Sequence, residues 1–168
     1  INLFYYYNKN IFNFKYKNKI DGIITDPGAQ YKIDKLFLQK FKNLKIIVTP
    51  STGINHIDIK YCSKKNIIVK SLLDDRATLN TITASAEFTL YLILASLRKI
   101  KIVISESTKG NWRKNESIMR GYELYNKKIG IIGYGRIGKK LTNYLNSFGA
   151  KCYFFDPYIK KYNKNKIT

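Results

Sequence analysis

The chain has 168 residues, with 31 Lys and Arg against 11 Asp and Glu, a formal net charge of +20, and it is long enough to bury a core. Such a charge attracts phosphate. However, Lys supplies 26 of the 31 cations and is spread along the chain beside abundant Asn, Ile and Tyr, as an AT-rich coding sequence would give, and with no clustered arginine or nucleic-acid module a nucleic-acid partner is not expected.

Residues 1–19 are Tyr, Asn, Phe and Lys in irregular order and give no periodic signal. Ile20 to Thr25 reads as a strand and Asp26-Pro27-Gly28 as a turn. Ile33, Leu36, Phe37, Leu38 and Phe41 predict an amphipathic helix to about Lys42, followed by a strand from Leu44 to Val48. Strand, helix and strand at this spacing favour a parallel sheet.

The run Thr49-Pro50-Ser51-Thr52-Gly53-Ile54-Asn55-His56-Ile57-Asp58 leaves the carboxyl end of that strand, turns at Gly53 and enters a helix over 58–65. Loops of this kind are where open α/β sheets bind ligands, with backbone amides aimed at an anion. His56 is the only histidine. No partner that would orient it as a base is identifiable, so it reads as a structural or loop-positioning residue.

Ile67 to Val69 forms a further strand, and 71–81 reads as an aperiodic connection between domains. Asp74 and Asp75 lie in it and read as a solvated turn, not as a metal site. Thr83 to Ile100 is apolar on nearly all sides, as expected of a helix buried between two layers, be it an inter-domain, a dimer or a core helix. A second helix is expected from Ile102 to Ser107. Gly110-Asn111-Trp112 then breaks the pattern before a loop to Leu124, with Trp112 as an interface anchor.

The strongest signal is 127–156. Ile129 to Ile132 reads as a buried parallel strand. It leads through Gly133-Tyr134-Gly135-Arg136-Ile137-Gly138 into a helix on which Ile137, Leu141, Tyr144, Leu145 and Phe148 recur, with Gly149 at its C-terminal cap. Cys152 to Phe155 forms the next strand and ends in Asp156, 18 residues past Gly138. In this pattern Gly133 permits the tight turn, Gly135 the approach of a pyrophosphate and Gly138 close packing of helix on sheet. The first-turn amides near Arg136 and Ile137 face the phosphates, and Asp156 accepts from the adenosine ribose hydroxyls, which favours NAD over a 2′-phosphorylated cofactor; the alternative for Asp156 is a turn residue before Pro157.

Cys62 and Cys152 are too few for a disulfide framework or a zinc site, and Cys152 reads as a buried thiol. The longest uncharged apolar run, 88–97, is too short to cross a bilayer. No membrane association is expected, and the cytoplasm is the default location.

Three segments together resemble the D-isomer-specific 2-hydroxyacid dehydrogenases, the group that includes phosphoglycerate dehydrogenase. They are STGINHID with the following helix and NIIV; ITASAEFTLYLILASLRKI; and GNWRKN continuing through ELYNKKIGIIGYGRIGKKL to GAKCYFFDPY. The resemblance covers roughly 23–158 and implies a flavodoxin-like substrate domain over 1–80 and a Rossmann NAD-binding domain over 81–168. It further implies that the amides of Thr52 and Gly53 hold the carboxylate of a small D-2-hydroxy or 2-oxo acid, of 3-phosphoglycerate or hydroxypyruvate type. Gly133, Gly135, Arg136, Ile137, Gly138 and Asp156 would hold NAD, and the helix over 84–100 would form a homodimer.

In such enzymes hydride passes between nicotinamide and C2, a His–Glu pair moves the proton and an Arg polarises the carbonyl. Those three lie beyond the position of Asp156, and His56, Arg98 and Arg120 do not match them. The expectation is therefore a partial chain, cut at both ends, with the Rossmann domain truncated after its first βαβ unit and no catalytic residue of its own. A non-catalytic NAD-binding regulator on the same fold is the alternative.

Overall fold

A computed structural model describes residues 15–25 and 32–159. The chain divides into two compact units, Ile1–Leu79 and Asn80–Thr168. The class is α/β. The turn expected at 26–28 lies outside the described residues.

The first unit holds a parallel three-stranded sheet of β1 (Gly22–Ile24), β2 (Ile46–Thr49) and β3 (Ile68–Ser71), in that spatial order. Gly22 pairs with Ile46, and Ile46 with Ile68. Helices α1 (Lys35–Leu38) and α2 (Ile59–Lys64) occupy the two crossovers. Ile33, Phe37, Leu38, Phe41, Leu44, Ile47, Ile57, Cys62 and Ile67 form one buried cluster.

Helix α1 is shorter than the apolar spacing predicts. Ile33 is extended and bridges Ile57 in parallel, with its amide donating to the His56 carbonyl at 2.7 Å. Asp34 then caps the helix by accepting from the Phe37 amide at 2.9 Å. Ile33, Phe37, Leu38 and Phe41 are buried as predicted, whereas Leu36 is 68% exposed, and only Lys35–Leu38 of the segment is helical. Strand β1 is likewise shorter than 20–25.

The stretch read as an aperiodic connection is ordered by local caps. The Asp74 side chain accepts from the Ser71 amide, and Ser71 Oγ accepts from Leu73 N. The Asp75 carboxylate accepts from both the amide and the hydroxyl of Thr78, opening α3 (Arg76–Thr81). Both acids act as caps, and no group of metal-ligating side chains is present among the described residues. No helix among the described residues is long and apolar enough to cross a membrane.

The second unit contains α4 (Ala84–Leu97), α5 (Ile100–Thr108), α6 (Glu116–Met119), β4 (Lys128–Ile132), α7 (Arg136–Ser147) and β5 (Lys151–Phe155). Strands β4 and β5 pair in parallel through the α7 crossover, with Lys128 opposite Lys151. Lys99, in the left-handed conformation at φ 50°, separates α4 from α5. Helix α6 was not foreseen in the loop before Leu124. Its single turn carries too few residues for a period to register.

Helix α4 departs from the expected all-round burial. Leu90, Ile93, Leu94 and Leu97 pack toward the core around α7, whereas Phe88, Tyr91 and Leu92 are at least half exposed. On α7 the buried stripe is Gly138, Leu141, Thr142 and Leu145, while Ile137 and Phe148 face solvent. The helix ends in a Schellman motif, in which Gly149 N donates to Asn146 O and Ala150 N to Leu145 O, with Gly149 at φ 72°. Gly149 fits the left-handed position that the sequence assigned to it.

One polar knot secures the end of α5. Glu106 accepts from the side chains of Asn115 and Asn111 and pairs with Lys109 at 3.2 Å. The Asn115 hydrogen bond above all, then Lys109 and Asn111, hold the Glu106 carboxyl below the usual glutamate range. A carboxylate whose folded pKa is depressed stabilises the fold fully above its unfolded pKa and loses that contribution as pH falls through the folded value. The stability advantage of the wild type over Glu106→Gln is therefore expected to be full near neutrality and to shrink below pH ~4. Thermal melts of both proteins from neutral to acidic pH check this, and an advantage independent of pH would contradict it.

Candidate functional site

In the first unit the loop after β2 is held by its own hydroxyls. Thr49 Oγ1 and Ser51 Oγ lie 2.9 Å apart, and Ser51 Oγ donates to the Gly53 carbonyl at 2.7 Å. The Ser51 carbonyl accepts from Leu72 N at 3.0 Å, tying the loop to the segment after β3. Thr52 and Gly53 are exposed, and a Cβ added at Gly53 would meet nothing within 4 Å.

The amides of Thr52 and Gly53 have no hydrogen-bond partner among the described residues. They leave an open pair of donors at the carboxyl end of a parallel sheet, where an anion is the natural ligand. The His56 ring nitrogen Nε2 is buried without a partner among the described residues, while its carbonyl is held by Ile33. Thr25 Oγ1, just after β1, is in the same state.

In the second unit the glycine turn follows β4 directly. Gly133 N donates to the Phe155 carbonyl at 2.8 Å, which extends the strand pairing by one step, and Gly133 then adopts φ 89°. Gly135 is the N-cap of α7 and supplies no side-chain cap, so among the described residues the first-turn amides of Arg136, Ile137 and Gly138 have no cap to accept from them. A Cβ at Gly135 would meet nothing within 4 Å. A Cβ at Gly138 would collide with the Gly133 carbonyl and touch Ile131. The turn is open on its outer side and closed on its inner side, which suits a phosphate approaching from solvent.

Asp156 lies beside this turn. It is 9% exposed, and its Oδ2 accepts from the Tyr134 amide at 2.7 Å while Oδ1 accepts from Tyr158 N at 2.9 Å. The residue expected at the ribose is thus already fixed against the phosphate turn. The Arg136 guanidinium is engaged in donating to the Ile82 carbonyl at 2.7 Å, so this residue offers the site its amide. Gly133, Gly135, Arg136, Ile137, Gly138 and Asp156 are brought together, and Thr52 and Gly53 form a separate feature of the first unit. Tyr134 was not singled out by the sequence, because the motif leaves its position free and its contact with Asp156 is made through the backbone.

A parallel βαβ unit with a glycine turn and an acid at the end of its second strand defines a Rossmann nucleotide fold. The chain belongs to the D-isomer-specific 2-hydroxyacid dehydrogenases: residues 12–75 match the catalytic domain of that family and residues 90–168 its NAD binding domain.

It is 32% identical over 141 residues to D-3-phosphoglycerate dehydrogenase of Methanocaldococcus jannaschii, covering 84% of this chain and 25% of that protein. It is 37% identical over 149 residues to glyoxylate reductase of Thermofilum pendens, covering 86% and 40%. The structure of D-lactate dehydrogenase from Aquifex aeolicus, solved with NAD and lactic acid, superposes with a TM-score of 0.73 at 31% identity, covering 86% of this chain and 40% of that one. The chain thus spans between a quarter and two fifths of the length of these relatives.

Proposed function

We propose that these residues form the substrate-loop and cofactor-binding part of an NAD-dependent oxidoreductase that interconverts a small D-2-hydroxy acid and its 2-oxo acid. NAD, when bound, supplies the nicotinamide that takes or gives the hydride at C2. The observation that carries this reading is the Asp156 carboxylate, set beside a glycine turn whose first-turn amides have no cap. The amides of Arg136, Ile137 and Gly138 bind the pyrophosphate, Gly133 and Gly135 keep the approach clear, and Asp156 accepts from the ribose hydroxyls while repelling a 2′-phosphate.

Residues 1–80 serve as the substrate domain, in which the amides of Thr52 and Gly53 hold the substrate carboxylate, and 81–168 as the cofactor domain. His56, Arg98 and Arg120 take no part in the proton transfer, and no acid–base pair is assigned within these 168 residues. The exposed Phe88, Tyr91 and Leu92 of α4 suit a homodimer contact through the region 84–100. Trp112, 57% exposed with the Arg113 guanidinium 4.6 Å from its ring, belongs to the same kind of surface. Two buried free thiols, Cys62 and Cys152, suit the reducing cytoplasm.

Calorimetric titration tests the cofactor assignment. The chain is expected to bind NAD in preference to NADP, and Asp156→Ala is expected to weaken NAD binding about tenfold and narrow the preference. Equal affinity of the unaltered chain for the two cofactors, or binding of neither, would refute it.

A further inference from the structure

We propose that Asp156 is a positioning residue for the phosphate turn as well as a ribose acceptor, acting through the backbone of Tyr134. The inference rests on the cofactor reading above and adds to it. Asp156 is nine-tenths buried, and no cation pairs with it among the described residues. A buried carboxylate needs hydrogen-bond donors in place of the water it gives up. Here those donors are two backbone amides, Tyr134 N at 2.7 Å and Tyr158 N at 2.9 Å.

The first of these bonds joins positions 22 residues apart in sequence. It fixes the peptide between Gly133 and Tyr134, and with it the left-handed conformation of Gly133 at φ 89°. That peptide aims everything after it, including Gly135 and the first turn of α7. A second contact works in the same sense: the Tyr134 ring stacks on Phe154 with centroids 3.8 Å apart and planes 12° from parallel. Phe154 is only 5% exposed.

The first free position of the glycine motif is therefore fastened twice, by its ring to Phe154 of β5 and by its amide to Asp156 just after that strand. Each carboxylate oxygen has a second lone pair, so the brace leaves acceptors for the ribose hydroxyls. Loss of Asp156 thus disturbs phosphate binding even for a ligand with no ribose hydroxyl to offer.

Backbone amide exchange followed by NMR tests the brace without any ligand. In the unaltered chain Tyr134 N–H is expected to exchange slowly, and exchange at the rate of an unprotected amide would overturn the proposal with no variant needed. In Asp156→Ala the Tyr134 rate is expected to rise about tenfold or more, while Ile131 and Phe154 keep theirs. An unchanged Tyr134 rate would also overturn it.

The functional arm uses 2′,3′-dideoxy-ADP, which keeps the pyrophosphate and lacks the ribose hydroxyls. Asp156→Ala is expected to weaken its binding about tenfold, although removing a negative charge would by itself favour an anion. Unchanged or tighter binding would assign Asp156 to the hydroxyls alone. If the unaltered chain binds neither NAD nor ADP, the cofactor reading falls, and the Tyr134 exchange rate still decides the brace.

Discussion

Gly138→Ala is expected to abolish measurable NAD binding, a loss of at least about 100-fold, and to destabilise the second unit by about 1–3 kcal/mol. The new methyl group has one place to go, and the Gly133 carbonyl occupies it. That oxygen is main-chain and cannot rotate aside like the end of a long side chain. Gly133 is itself held by its amide on Phe155 O and by its positive φ. Relief requires either the turn to open or α7 to lift from β4, and both move the first-turn amides. Gly135→Ala is the informative control, since a Cβ there meets nothing within 4 Å. It is expected to leave stability within about 0.5 kcal/mol of the unaltered chain while hindering a ligand that approaches closely. Calorimetry with NAD and urea denaturation check both. Retained NAD binding in Gly138→Ala would mean that the turn is far more compliant than its contacts imply.

Leu145→Ala is expected to cost about 2–5 kcal/mol. Leu145 is fully buried and belongs to the cluster of Ala86, Leu124, Ile131, Leu141, Ala150, Cys152 and Phe154. Its carbonyl also receives Ala150 N in the Schellman motif, so the backbone there has little freedom to collapse onto the void. The cost is expected near the upper part of the range, because a site that cannot close keeps its cavity. Urea denaturation followed by circular dichroism measures it, and a loss under about 1 kcal/mol would show that neighbouring chains fill the space. In a domain whose total stability is about 5–15 kcal/mol this single truncation is a substantial fraction.

The glycine turn was legible in the sequence because its parts must fall at fixed spacings: strand, three glycines, helix, strand and acid. The helix cap at Gly149 was legible for the same reason. The end of β1 and most of the predicted helix over 33–42 were not, since Ile33 bridges Ile57 and that pairing depends on a loop two dozen residues away. Which face of α4 meets the core was not legible, because an apolar sequence states what a surface prefers and cannot say which neighbour covers it. Asp156 was found for its distance from Gly138, whereas its bond to Tyr134 N was invisible, since a backbone donor carries no residue signature.

The strand pairings have a consequence for how the chain is made. Gly22 meets Ile46, Ile46 meets Ile68, and Lys128 meets Lys151. Each closes a loop of similar, moderate length, so the entropy of closure differs little among them. A ribosome releases the chain from its amino end, and each βαβ crossover is complete as soon as its second strand emerges. The first sheet can therefore assemble while the glycine turn is still untranslated.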